Sequence, residues 1–162
     1  MRVARKLHRA GGWSGAADRL TLDHDARHMR RAVVTCDSGE ELLIDLAEPT
    51  ALAHGDAVET QDGALVEIVA APEALMEARS PDPLHLVRTA WHVGNRHLPA
   101  EIRPDRLVLR RDHVIADMLR KLGCEVREFE GPFQPEGGAY GHGRTHGHDH
   151  AHGHRHAHDH AH

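Results

Sequence analysis

The order of helix and strand signals between residues 74 and 130 restricts this chain more than any other feature. Ala74 to Ala78 reads as a strand, and Pro81, Asp82 and Pro83 then announce a helix. Asp82 is placed to cap that helix and Pro83 to occupy its first position, where a missing N–H costs nothing. Val87, Ala90, Trp91 and Gly94 follow at helical spacing, and Pro99 ends the element. Two short strands, near 101–103 and 106–110, flank Pro104 and Asp105. Asp112 caps a second helix whose Val114, Met118, Leu119 and Leu122 share one face; Gly123 stops it, and 125–129 is a closing strand. Strand, helix, strand, strand, helix, strand is the split βαβ order of the ferredoxin-like fold, in which two helices cover one face of an antiparallel sheet.

Upstream the signals are those of short strands. Leu20 and Leu22 alternate with polar neighbours; Val33, Val34 and Thr35 precede the turn Asp37-Ser38-Gly39, and the apolar character resumes from Leu42 to Leu46, which makes a hairpin. A second hairpin joins 57–60 to 64–69 through Gln61, Asp62 and Gly63. A link at 71–73, centred on Pro72, separates the halves. The expected organisation is therefore α+β: a small N-terminal all-β domain over 1–73, a ferredoxin-like βαββαβ domain over 74–140, and a tail over 141–162.

That tail reads GHGRTHGHDHAHGHRHAHDHAH. It carries His142, His146, His148, His150, His152, His154, His156, His158, His160 and His162, ten of the chain's 18 histidines. Imidazole is the commonest metal ligand, and its pKa near 6.5 leaves most rings neutral, with a nitrogen open to a metal at about pH 7. With three Ala, four Gly and no large apolar residue, the segment cannot bury enough surface to offset the entropy of ordering, and a mobile multidentate chelator is expected. Interleaving with Gly, Ala, Asp and Arg sets it apart from an unbroken purification tag. Imidazole suits Zn, Cu, Ni and Fe alike, so the tail leaves the metal open.

Charge excludes one class of partner. Arg144 and Arg155 cancel Asp149 and Asp159, so the formal −5 of the whole chain belongs to the folded part, and no nucleic-acid footprint is present. Cys36 and Cys124 form no CxxC pair and sit beside apolar runs, as reduced core thiols do. No apolar h-region or membrane-length run occurs, so a cytoplasmic protein without a membrane partner is expected. Aromatics are few, which marks Trp13, Trp91, Phe129, Phe133 and Tyr140 as anchors. His8, His24, His28 and His54 fall in loops or polar strand ends and read as solvated residues.

Two short constellations carry chemistry. Trp91-His92-Val93-Gly94-Asn95-Arg96-His97 ends the first helix. There His97 meets the partial negative charge of the helix C-terminus, and Gly94 would let another backbone approach. His92 and His97 lie about 140° apart around a helix, and His85 and His92 about 10 Å apart along it. Neither pair can share an ion; a two-fold axis bringing two His97 residues together is one way to complete a site, the alternative being a His97 that only hydrogen-bonds at the helix end, and the histidine tail favours the first. Asp112 and His113 form the other pair; in the first turn His113 stays neutral and able to bind metal. No nucleophile or oxyanion donors accompany it, so no enzyme is expected.

Taken together, WHVGNRH at 91–97 followed by LPAEI, DHVIADMLRKLG at 112–123, PFQPEGGAY at 132–140 and the histidine tail resemble the urease accessory proteins of the E type, the nickel metallochaperones of urease maturation. The resemblance covers most of residues 80–162. It implies an N-terminal domain similar to a peptide-binding module, a homodimer holding one Ni(II) as cargo between two copies of His97, and a peripheral metal site at His113. It also implies tail histidines that add capacity, and as partners a GTPase accessory protein and apo-urease. Zn(II) or Cu(II) are the competing ions. Arg111 stands where some members carry histidine, and Ser80 near where some carry cysteine. A general nickel or zinc storage protein acting through the tail is the alternative, and a protein-interaction module working through the β domain is a second.

Overall fold

The computed structural model of the chain describes residues 1–137. Tyr140 and the tail histidines from His142 to His162 lie outside them.

The first seventy residues build one six-stranded sheet from β1 (Arg2–His8), β2 (Asp18–Leu22), β3 (His28–Thr35), β4 (Glu41–Ala51), β5 (Ala57–Thr60) and β6 (Leu65–Ala70), in the order β2-β6-β5-β1-β4-β3. Both expected hairpins form: β3 pairs with β4 and β5 with β6, antiparallel. Gly39 and Gly63 sit in their turns at φ 93° and 83°, where a Cβ would be strained. Alternation sends Leu42, Ile44 and Leu46 of β4, and Val66 and Ile68 of β6, into one core with Ala4 and Leu20. Hairpin logic does not reach two further pairings, which are parallel and long-range: β1 with β4, and β2 with β6.

The second sheet consists of β7 (Pro72–Arg79), β8 (Glu101–Ile102), β9 (Arg106–Arg110) and β10 (Glu125–Pro132), with helices α1 (Pro83–Asn95) and α2 (His113–Lys121) between its strands. Its order is β10-β7-β9-β8, all neighbours antiparallel. This is the arrangement the split βαβ order requires. Met76 and Ala78 of β7 and Leu107 and Leu109 of β9 face Leu86 and Val93 of α1 and Ala116 and Leu119 of α2, so both helices cover one face. The segment expected as a link is not one: Pro72 and Glu73 already pair with Pro132 and Gly131, and Ala71 alone separates the sheets. No described helix is long and apolar enough to cross a membrane.

Phe133 ties the two sheets together. Its side chain is fully buried against Leu75 and Val108 on the face of the second sheet opposite the helices. His24 meets the ring edge-on at 5.7 Å, and the Arg110 guanidinium lies 5.3 Å from its centroid. Arg110 reaches back to Asp25 at 2.8 Å, and the His24 amide donates to Glu73 at 3.1 Å.

Candidate metal centre

Asp82 starts α1 as the proline-flanked sequence demands, its carboxylate accepting from the His85 amide at 2.8 Å. The other end holds an oddity of backbone conformation. Arg96 is the C-cap, and the His97 amide donates to Gly94 O at 3.0 Å and the Leu98 amide to Val93 O at 3.4 Å. Those two bonds are the Schellman closure, and they put the residue after the cap in the left-handed region, a place glycine normally takes. Here it is His97, at φ 57°, the one non-glycine residue with positive φ among those described. Leu98 packs on the core beside Val93 and completes the apolar contact of the motif. His97 itself is exposed, so burial gives no reason for the strain; because strained backbone clusters at functional sites, this imidazole at a negative helix end is the candidate.

The rest of α1 departs from the inward face the spacing suggested. Leu86, Thr89 and Val93 are buried, whereas Val87 and Trp91 are 64% and 65% exposed and Leu84 is 59% exposed. Leu84, Val87, Trp91 and Gly94 therefore form an apolar ridge facing away from the chain's own core, with His97 just beyond its end. A Cβ on Gly94 would meet nothing within 4 Å, so no contact inside this chain requires glycine there. Phe133, by contrast, is the anchor it was expected to be.

His113 is the first residue of α2, exposed, behind the Asp112 cap, which accepts from Val114 and Ile115 amides at 2.9 and 3.0 Å. Its neighbour Arg111 is engaged elsewhere: the guanidinium donates to Leu75 O at 3.4 Å and Phe129 O at 3.0 Å, and Glu128 lies at 3.6 Å. Val114, like Trp91, is exposed rather than packed inward, while Ala116 and Leu119 take the core positions.

The remaining histidines sort by their ring nitrogens. His54 Nδ1 accepts from the Ala70 amide at 3.1 Å, and His24 Nδ1 from Arg110 at 3.3 Å. His85 donates from Nε2 to Leu122 O at 2.6 Å while Nδ1 accepts from Ser80 Oγ at 3.0 Å. Each neutral ring then carries its proton on Nε2 and offers no lone pair to a metal. His8 Nε2 meets Glu59 at 2.6 Å. Three histidines expected to be solvated (His8, His24 and His54) are thus tied down, and only His28 keeps that character. Besides His28, the described histidines whose rings make no hydrogen bond are His92 on α1, His113 at the start of α2, and His97 just past the C-cap of α1. Among the described residues no three His, Cys, Asp or Glu side chains gather closely enough to hold an ion. A site at His97 has to draw on ligands from another chain or from beyond residue 137.

Sequence reasoning missed the left-handed backbone of His97 because the usual signal, a glycine, is absent. It also missed Leu84 as part of the ridge, and Arg27, whose buried guanidinium has no sequence signature at all.

Comparison with known proteins covers nearly the whole chain. Residues 2–71 match the model of the UreE urease accessory protein N-terminal domain, and residues 73–162 that of its C-terminal domain. The urease accessory protein UreE of Ruegeria pomeroyi is 52% identical over 142 residues, covering 88% of this chain and 93% of that one. That of Rhodopseudomonas palustris is 55% identical over 138 residues, 85% of this chain and 64% of its own length. In the Rhodobacter capsulatus protein of the same name, identity is 49% over 144 residues, 89% and 90% of the two chains. With an N-terminal β sheet, a split βαβ second half and these relatives at half identity, the chain belongs to the UreE family of urease accessory proteins.

Proposed function

We propose that this protein is a cytoplasmic nickel metallochaperone that delivers Ni(II) for assembly of the urease active site, without enzymatic activity of its own. The observation that carries the reading is His97, exposed and held in a left-handed conformation at the end of an outward apolar ridge. Leu84, Val87 and Trp91 gain by leaving water, and a second copy of the same ridge is a self-complementary partner. A two-fold axis at the C-terminal end of α1 sets Trp91 against the bare backbone of Gly94 and brings two His97 imidazoles together over two helix ends, where a cation is favoured.

Two imidazoles leave coordination positions open on a nickel ion, which takes square-planar or tetragonal nitrogen and oxygen sets. Tail histidines or water fill them, and exchange among equivalent donors lets the ion move on to a GTPase accessory protein and then to apo-urease. The tail is within reach. The Glu136 amide donates to Ala100 O at 2.9 Å, and Ala100 is three residues from His97. His142 follows six residues after Glu136, a contour of about 20 Å. His113 is a peripheral ligand only with donors other than Arg111.

Calorimetric nickel titration of a chain ending at Tyr140, beside the same chain with His97→Ala, tests the reading. About one ion per dimer is expected in the first, with loss of that site in the second. Equal binding by both removes the interface site, and loss of all binding on deleting 141–162 favours storage through the tail.

A further inference from the structure

The contact between the two halves of the chain closes on one imidazole. Ala71 alone joins β6 to β7, so a change at one or two backbone dihedrals there swings the N-terminal sheet relative to the second. What opposes that swing comes chiefly from the turn between β2 and β3. The His24 amide donates to Glu73 of β7 at 3.1 Å, and Arg110 of β9 donates to Asp25 at 2.8 Å and to His24 Nδ1 at 3.3 Å. Arg27 donates to Phe133 O at 2.5 Å, and the His24 and Phe133 rings meet edge-on at 5.7 Å. The His54 amide adds one bond to the side chain of Gln134, at 3.2 Å.

Only a neutral His24 fits that set. Its Nδ1 accepts an N–H of Arg110, and a protonated ring has no lone pair to accept with. Neither flanking cation can retreat. Arg110 is held by Asp25, by Glu73 at 3.5 Å and over the Phe133 ring at 5.3 Å; Arg27 is held by the carbonyls of Leu22, Leu52 and Phe133. Nor does a carboxylate stand ready to receive the new N–H. Asp23 accepts from the Ala26 amide and Glu73 from the His24 amide, while Asp25, 3.5 Å from the ring, is taken by Arg110 and is 77% exposed, where water screens it. Burial first, then the charges of Arg27 and Arg110, accordingly hold the imidazole below its usual 6.5.

We propose that His24 is an acid-sensitive latch between the two domains: neutral, it holds the N-terminal sheet against the face of the second sheet opposite the helices, and on taking up a proton it lets the two come apart about Ala71. Undocked, the ring regains water and its ordinary affinity for a proton. One proton then separates the two states. The docked-to-undocked ratio is therefore whole above about pH 6.5, falls by up to about tenfold per pH unit as pH drops from there to the folded value, and is constant below it. The apolar surface that the opening uncovers is that of Phe133, fully buried in the docked form. Nothing in this depends on nickel or on His97.

Amide hydrogen exchange of the full-length chain, followed by NMR from about pH 7.5 to about pH 5, tests it. Protection factors, corrected for the intrinsic pH dependence of exchange, are compared at three amides. That of His24 reports the contact; those of Ile68, bonded to Asp56 O at 2.8 Å, and Cys124, bonded to Leu119 O at 3.0 Å, report the interiors of the two domains. The expected result is a fall in His24 protection of up to about tenfold per pH unit that neither reference shares. In His24→Gln, whose side-chain oxygen still accepts from Arg110 but takes up no proton, the amide of residue 24 should keep its protection throughout. A fall shared by Ile68 and Cys124 is global acid unfolding and overturns the inference, as does level protection in the wild type or an equal fall in His24→Gln. Should His24→Gln be undocked at every pH, the Overhauser contact between the His24 and Phe133 rings of the wild type decides. Its loss in acid while both references stay protected supports the latch, and its survival after His24 is protonated overturns it.

Discussion

Replacing His97 by glycine should make the protein more stable and less able to bind nickel. The backbone at His97 stays at φ 57° because the Schellman bonds to Gly94 and Val93 and the packing of Leu98 hold it there. A residue with a Cβ pays about 1–2 kcal/mol in that region. Glycine relieves this but returns about 0.4–1 kcal/mol through the greater freedom of the unfolded chain. The exposed imidazole contributes little packing, so the net gain is about 0.5–1 kcal/mol, or about 1–4 °C in Tm for a chain of this length. Thermal unfolding with a chelator present, at equal protomer concentration, measures it, and His97→Ala is the control, since alanine keeps the Cβ and should sit within about 0.5 kcal/mol of wild type. Nickel titration of the same variants should show the interface site lost in both. A glycine variant that melts below wild type would refute the reasoning, because His97 would then be contributing to the fold rather than being tolerated for its chemistry.

The outward ridge makes Trp91→Glu a test of association: a carboxylate at the centre of an apolar contact should leave the monomer folded and shift sedimentation to the monomeric species, whereas an unchanged dimer excludes α1 as the interface. Asp112→Ala removes the acceptor for the Val114 and Ile115 amides and should cost about 1 kcal/mol in denaturant unfolding; no change means the cap is replaced by water. Burial, then the charges of Arg27 and Arg110, push the His24 pKa below 6.5 in the fold. The unfolded chain then takes up this proton first, so stability that is whole above about pH 6.5 is lost as pH falls from there through the folded value. Melting curves across that window should slope less in His24→Gln, and identical slopes would remove His24 from the account.

Much of the fold was legible because its signals are local. The caps Asp82 and Asp112, the stops at Gly123 and Pro99, and the glycine turns at Gly39 and Gly63 act within a few residues, and the apolar runs on either side of those turns marked the two hairpins. The candidate site was legible in its residue, His97, but not in its surroundings. Val87 and Trp91 have helical spacing whether they face a core or a partner, and hydrophobicity alone does not say which. Which side of α1 turns inward follows from where Met76, Ala78, Leu107 and Leu109 lie, and those come from other strands.

By itself, then, the sequence determined the family, the order of the elements from residue 74 onward, the two helix caps and the histidines, because each is written in contiguous residues; β1 (Arg2–His8) had no such local signal. Tertiary structure alone decided the parallel pairing of β1 with β4 and of β2 with β6, the left-handed backbone of His97, and the hydrogen bond from the Arg27 guanidinium to Phe133 O between the two halves. Each of these joins groups far apart in the chain or imposes a conformation against local preference. Such choices are settled by the summed packing of the whole molecule, which no window of sequence contains.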